Sequence, residues 1–509
     1  MSLFEKSIVA SGHNLVSDAA AKILEAGGNA FDAVVAAGFA SAVVEPALTS
    51  LGGGGLLVGH NRKQRKNIFY DFFVDTPGRG SNNHDSRKDF FPVEVKFSGS
   101  SQNFNVGLGS VAVPGVLKGL LHTHKKLGSM PLVDVIQPAK ELASSHQLNE
   151  QQGHFLSLLK PIMTLNERTK KIYQPDGCYV HTGDRLKNTE LADFFSRLVT
   201  EGGDCFYLGE IAEKIDREMR EQGGLLTKED LAAFTVRERS PLTVPYKGRS
   251  LVTASEPSMG GTLIGLSLLL KDQMDSGSVP WGSGQYLVST VAVMQEVERL
   301  RGLGVTDPQS LVRFIENSEQ LEKTESEMRL FSRGTTHVSI ADKHGNCASM
   351  TCSNGEGSGY IAPGTGIMLN NMMGEDDLHP DGFHSSPPGQ RVFSMMSPSL
   401  LLKGDSVELV VGSGGSKRIR TAISGVISQV VEYGRSLEEA VDSPRLYLDE
   451  GLLQVEPGYE EQAIKLVRSL VPVNVWPQPD VYFGGVHAVI PGVEGAGDPR
   501  RGGAVRVVS

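Results

Sequence analysis

Arg333-Gly-Thr-Thr-His-Val-Ser-Ile-Ala-Asp-Lys-His-Gly-Asn-Cys-Ala-Ser-Met-Thr-Cys-Ser353 is the stretch on which the fold turns. Thr336, Val338 and Ile340 alternate with Thr335, His337 and Ser339, the period of a strand with two unlike faces. Asp342-Lys-His-Gly345 supplies turn residues, and Ala348, Met350 and Cys352 alternate on the return. With Lys343 and His344 as a two-residue turn, Asp342 faces Gly345 and Thr335 faces Cys352. Thr335 and Ser353 are then near neighbours, because opposed or diagonal cross-strand residues lie within about 8 Å. Two hydroxyls at a strand end are ordinary in a sheet when they stand alone. Their meaning depends on what else converges on them.

The chain has 509 residues, enough for a large core and, by length alone, two to four domains. Its 49 basic and 59 acidic side chains leave a net charge of −10. Neither that balance nor any basic run favours nucleic acid as a partner. Residues 1–10 lack a basic region followed by an apolar one, so no secretory signal is expected. The apolar stretch from Ala30 to Leu48 is broken by Asp32 and Glu45, and no segment reaches the roughly 20 apolar residues of a membrane span. Four cysteines in so long a chain make no disulfide framework. A cytoplasmic enzyme with free thiols is the expectation. His122-Thr-His124 falls in a predicted helix, where side chains two apart diverge, so no metal site is expected.

Along the chain, a first strand spans residues 6–10. Ser17 or Asp18 caps a helix ending at Gly27-Gly28, and Asn29 caps a nearly all-apolar helix that Pro46 ends. Leu51-Gly-Gly-Gly-Gly55 lacks the Gly-Lys-Ser/Thr of a phosphate loop and reads as a close backbone approach. Strands follow at 56–60 and 67–74, then a loop from Asp75 to Gln102. Helices fill much of 113–316, with a capping box at Thr227-Lys-Glu-Asp230. Residues 320–334 have the composition of an exposed segment. Short strands are predicted near 366–371, 398–403 and 407–412, then a helix over 416–433. The pattern is α+β, a sheet sandwich walled by helices and built by both halves of the chain.

Three features downstream could converge on Thr335: Leu369-Asn-Asn-Met-Met-Gly-Glu-Asp-Asp377, Phe393-Ser-Met-Met-Ser-Pro398 and Gly412-Ser-Gly-Gly-Ser416. The last joins a strand to a helix, a junction that aims backbone N–H groups at an anion. Further motifs stand in order before them: Ser17-Asp-Ala-Ala20, Gly27-Gly-Asn-Ala-Phe-Asp-Ala33, Val113-Pro-Gly115, Met130-Pro-Leu132, Gly223–Leu231 and Pro257–Gly261. On these stretches, residues 6–509 resemble the γ-glutamyltranspeptidase family of N-terminal-nucleophile hydrolases.

The resemblance implies an αββα sandwich and a precursor that cuts itself between Gly334 and Thr335. Segments 1–334 and 335–509 would remain together as large and small subunits of one intertwined domain, with a higher oligomer left open. It implies Thr335 as nucleophile, Ser353 as its hydrogen-bond partner, and Gly414 and Gly415 as oxyanion donors. Chemically, a free α-amine with a pKa near 7.7–8.0 can act as base for its own hydroxyl. No cofactor is implied. The substrate would be a small amide or γ-glutamyl compound, with water or an amine as acceptor.

Substrate recognition departs from the family pattern. An adjacent serine pair becomes Ser394-Met395, an asparagine becomes Gly355, a glutamine becomes Met372, and an aspartate becomes Glu375, with Asp376 next to it. The carboxylate-binding arginine matches Arg79 or Arg87 without a secure alignment. A pocket that has lost such partners should bind free glutamyl groups poorly, since an unpaired buried carboxylate is costly. Glutathione-type substrates, a non-glutamyl acylase and bond cleavage next to a carbonyl therefore stand as alternatives. An uncut, inactive binding protein is the reading from another class.

Overall fold

The hairpin is a buried seam with both faces in use. The structure, a computed structural model, describes residues 2–80, 88–96, 101–274, 278–305, 334–379 and 382–509. In it the strand Thr336–Ala341 pairs antiparallel with Cys347–Ser353. Val338, Ile340, Ala348, Met350 and Cys352 join an apolar cluster with helices α1 (Asn14–Glu25) and α2 (Ala30–Val44). His337, Ser339, Ser349 and Thr351 occupy the opposite face and are equally buried.

The register places Thr336 opposite Cys352 and Ala341 opposite Cys347, one residue on from the two-residue-turn reading. The connection runs over Asp342–Asn346, with Asp342 N donating to Asn346 O at 2.9 Å. The Asp342 carboxylate accepts from the backbone N–H of His344 and Asn346, each at 2.9 Å, and from Ala30 N, also at 2.9 Å. The hairpin tip is thereby tied to the start of α2. Continuing this register puts Thr335 across from Ser353 rather than Cys352, which sharpens the expected proximity.

Seven strands form the first sheet, in the order 504–508, 7–11, 336–341, 347–353, 54–61, 66–72 and 237–239. Six form the second, in the order 494–497, 485–490, 406–414, 399–403, 249–253 and 242–246. Every pairing within both is antiparallel. Helices α1 and α2 cover the outer side of the first sheet, and helices Met259–Gln273 and Ile419–Glu432 that of the second. The result is the αββα arrangement, and each sheet draws strands from both sides of residue 334.

Between the sheets the hydroxyls of the hairpin act as stitches. Ser339 Oγ donates to His487 O at 2.9 Å, Ser349 Oγ donates to Val411 O at 2.9 Å, and Ser399 N donates to Ser349 Oγ at 3.0 Å. Each satisfies a polar group that would otherwise be buried unpaired. His337 Nε2 lies 2.9 Å from Ser339 Oγ and Nδ1 lies 2.8 Å from Thr351 Oγ1. Because Ser339 spends its proton on His487 O, Nε2 is the donor and Nδ1 the acceptor of a neutral ring. Burial, reinforced by His487, holds His337 well below the ordinary imidazole value.

Several local expectations hold and others change. Asn29 caps α2 in a box with Asp32, and Thr227 does the same with Asp230. The cap of α1 is His13, whose Nδ1 accepts from Leu15 N at 3.1 Å, not Ser17 or Asp18. The predicted Asp75–Gln102 loop contains the strand Phe91–Lys96, paired with Ser101–Val106. Residues 366–371 form only isolated bridges, because their neighbours Gly52 and Ile361 belong to loops. Of the two helices expected over about 283–316, the first runs over Gly284–Gly302, and residues 306–333 lie outside the described residues. Among the described residues no helix is long and apolar enough to cross a membrane.

One contact tests the sandwich. A Cβ on Gly412 would stand 2.1 Å from His337 Cε1, so the sheets meet there only because residue 412 is glycine. Gly412→Ala should destabilise the fold by about 1–3 kcal/mol, the usual cost of overpacking. The denaturant midpoint measures it, and an unchanged midpoint would contradict this packing.

Candidate active site

Thr335 sits at the mouth of the first sheet, buried, where three backbone segments crowd together. A Cβ on Gly334 would stand 1.8 Å from Gly355 O and 3.2 Å from Ala47 O, so the residue before Thr335 has to be glycine. Thr335 Oγ1 donates to Ser353 Oγ at 3.4 Å. Ser353 Oγ in turn donates to the Gly334 carbonyl and accepts from Gly355 N at 3.2 Å. One hydroxyl therefore bridges the threonine oxygen and the carbonyl that precedes it.

Behind Thr335 the carbonyl oxygen accepts from Arg501 Nη1 at 3.0 Å. Gly414 packs against the same carbonyl, since a Cβ there would lie 2.4 Å from Thr335 O. Gly415 follows with φ +121° and Ser416 with φ +51°, a backbone turned at the end of strand Ser406–Gly414. The three chain segments read from the sequence as convergent do meet here.

In front of Thr335 lies a cavity open to solvent. Its polar lining is Thr335, Ser353, Glu375, Ser394 and Ser416, and its apolar lining is Phe73, Met372, Leu378, Met395, Met396 and Ile419. Among the described residues none that lines it is a cation. Glu375 is buried there, and its Oε1 occupies the space that a side chain on residue 355 would need, 2.2 Å from a Cβ built on Gly355. The Ser394 hydroxyl accepts from Met396 N at 3.1 Å, which turns the Ser394–Met396 segment along the cavity wall.

Two of the residues proposed from sequence for binding do not line this cavity. Asp376 is half-buried beside it. Arg79 is exposed, its guanidinium lies over Gly389, and its backbone N donates to Asp230 Oδ1 at 2.9 Å. Asp230 also accepts from Gly78 N at 2.7 Å, so the capping box of the following helix carries the segment away from the site. Arg87 lies outside the described residues. A different arginine, Arg391, reaches the Asp75 segment, but it is consumed by structure. It donates to Asp75 Oδ1 at 2.7 Å, Asp71 Oδ1 at 2.8 Å, Phe73 O at 2.7 Å and Thr235 O at 3.0 Å.

The gamma-glutamyltranspeptidase family model matches residues 16–508. The chain belongs to this family. The glutathione hydrolase proenzyme of Escherichia coli (strain K12) is 30% identical over 91% of this chain and 85% of its own. The acylase ACY 1 proenzyme of Pseudomonas sp. (strain SE83) is also 30% identical, over 91% of this chain and 88% of its own. In fold, the cephalosporin acylase of Bacillus halodurans matches with a TM-score of 0.77 at 23% identity, over 99% of this chain and 96% of that one. The Helicobacter pylori gamma-glutamyltranspeptidase matches with a TM-score of 0.51 at 30% identity, over 58% of this chain and 83% of that one.

The protein is thus a gamma-glutamyltranspeptidase-family enzyme, a hydrolase or acyltransferase, with the N-terminal-nucleophile sandwich. Within the family frame, two residues near the site escape a reading by motif. Arg501 reaches Thr335 from the far end of the chain, and Glu45 caps α2 just behind it. A signal for Glu45 exists in the sequence: it is one of two acids that interrupt an otherwise apolar helix, and buried acids need partners. The other, Asp32, finds its own at the N-cap and at Ser129 Oγ, 2.6 Å away.

The bridge at Ser353 makes a direct prediction. Ser353→Ala should slow acyl transfer by roughly tenfold to a hundredfold, the effect of losing one hydrogen bond to a reacting group. Rates measured on the folded variant check this, and an unchanged rate would remove Ser353 from the site.

Proposed function

We propose that this chain is a proenzyme that cuts itself between Gly334 and Thr335 and then acts as an amidohydrolase or acyltransferase through an ester on Thr335 Oγ1. The observation that carries the reading is the Ser353 hydroxyl set between Thr335 Oγ1 and the Gly334 carbonyl. In the precursor, Oγ1 attacks the Gly334 carbonyl carbon, and the bond from that carbon to Thr335 N breaks as N takes up the proton. The ester so formed is hydrolysed, which releases Gly334 as a carboxylate and Thr335 with a free α-amine. Residues 1–334 and 335–509 stay together because both sheets are made from both pieces.

In turnover the α-amine accepts the Oγ1 proton as the hydroxyl adds to the substrate carbonyl. The N–H groups of Gly414 and Gly415 serve as oxyanion donors, each worth about 3–4 kcal/mol in such sites. The protonated amine hands its proton to the leaving amine, and water or an acceptor amine resolves the ester.

The acyl group is expected to be largely apolar and to lack a free carboxylate. The cavity's six apolar side chains, with no cation among its described lining residues, support this over a glutamyl group. The acylase relative points the same way. A second reading, γ-glutamyl transfer, is supported by the Escherichia coli relative and by Glu375, an acid placed where a substrate ammonium could meet it.

A paired substrate screen tests the proposal: acyl amides without an α-carboxylate against glutathione. The first set is expected to show the higher kcat/KM, with a transient mass increase on the fragment that begins at Thr335. Faster turnover of glutathione would favour the second reading. Thr335→Ala should leave a single full-length chain with no turnover, and residual activity in it would overturn the nucleophile assignment.

A further inference from the structure

The side of Thr335 away from the acyl cavity holds a buried acid that the reaction as written does not use. Glu45 is the C-cap of α2, where the helix dipole and burial both disfavour a negative charge. Thr336 Oγ1 lies 3.1 Å from its Oε1 and 3.0 Å from its Oε2. Thr336 is the residue next to the nucleophile, and it points to the opposite face of the strand. Glu45 and Arg501 line one small cavity together with Gly12 and His13, and no residue of that cavity lines the acyl pocket. Arg501 meanwhile holds the Thr335 carbonyl at 3.0 Å. Residues 335 and 336 are therefore gripped from behind, one by its carbonyl and the other by its hydroxyl.

We propose that Glu45 is a positioning residue for the nucleophile: through Thr336, and alongside Arg501, it fixes the angle at which the Thr335 hydroxyl meets a carbonyl. The inference rests on the assignment of Thr335 as nucleophile. Fixing a reacting oxygen in this way is worth much, since a displacement of about 1 Å can cost a hundredfold in rate. The groups that face Glu45 are Thr336, Arg501, His487 across Gly12, His13, and the Cys352 thiol, which burial and Glu45 itself push up so that it stays neutral. Burial holds both histidines down at about 4, so Arg501 is the cation of the group.

The grip has a pH signature. Burial pushes the Glu45 carboxyl up to about 7, against the opposing pull of Thr336 and Arg501. The anion is the form that accepts the Thr336 hydroxyl and balances Arg501, so the rate should rise as pH passes upward through that value. Stability should move the other way. The folded state holds this proton more tightly than the unfolded chain, so the contribution is full below the unfolded carboxyl pKa. It is lost as pH rises through about 7.

The test follows self-cleavage of freshly made precursor from about pH 6 to about pH 9; before the cut Thr335 N is an amide, so no α-amine at residue 335 titrates in this range. Wild type, Glu45→Gln and Thr336→Val are compared, with Thr335→Ala as the uncut reference and thermal melts as the check on folding. The wild-type rate should climb through neutral pH. Glu45→Gln should be roughly tenfold to a hundredfold slower above neutrality, with a flat profile and without the wild-type fall in melting temperature. Thr336→Val removes the same contact from the other side and should be slowed alike, which decides the matter if Glu45→Gln does not fold. A folded variant that cuts at the wild-type rate with the wild-type profile overturns the proposal. A wild-type chain that stays whole at every pH overturns the nucleophile assignment beneath it, a separate and visible result.

Discussion

The site depends on a backbone contact that tolerates no side chain. Gly334 approaches the Gly355 carbonyl so closely that even a methyl group is excluded, with Ala47 O closing the other side. That contact fixes where the chain enters the central strand, and so where Thr335 points. Ser353, directly across the hairpin, then falls within reach of both the threonine hydroxyl and the preceding carbonyl. Glycine at this point gives up conformational freedom in the unfolded chain. In return two hydroxyl oxygens and one carbonyl are placed within hydrogen-bonding reach of one another.

The sandwich around this point explains how such polarity survives burial. One face of the hairpin packs on the alanine-rich α2, whose small side chains let the sheet come close. The other meets the second sheet through serine, threonine and histidine, each bonded to a named partner. A hydroxyl-rich interface is costly unless satisfied, and here the stitches tie the sheet that carries Thr335 to the strand that ends at Gly414. Thr335, Ser353 and Gly414, from distant parts of the sequence, are thus held by one seam.

Much of this was legible in the sequence, and the failures have physical reasons. Alternation in residues 335–353 gave the hairpin and both its faces, because a period of two admits one reading. The register slipped by one because Asp342 bonds across a five-residue connection, a side-chain effect that turn statistics do not carry. His13 capped α1 in place of Ser17 or Asp18, since imidazole caps have no strong composition signal. Arg79 was drawn toward Asp230 by backbone hydrogen bonds formed some 150 residues away, at separations of 152 and 151. Glu45 and Arg501 lie too far apart in sequence for spacing to join them. Yet an acid inside an apolar helix was itself a sign that a buried partner existed.

The cavity in front of Thr335 has a lining that departs from the family pattern. Met395 and Met372 line it where hydrogen-bonding side chains stand in the family pattern, and Glu375 fills the room left by Gly355. The claim on which the rest stands is that Thr335 becomes a free amino terminus. Intact mass spectrometry of the purified chain measures this most directly. Two species whose masses sum to the whole plus one water, the smaller beginning at Thr335, are the predicted result. A single full-length species, stable on prolonged incubation at neutral pH, would contradict it.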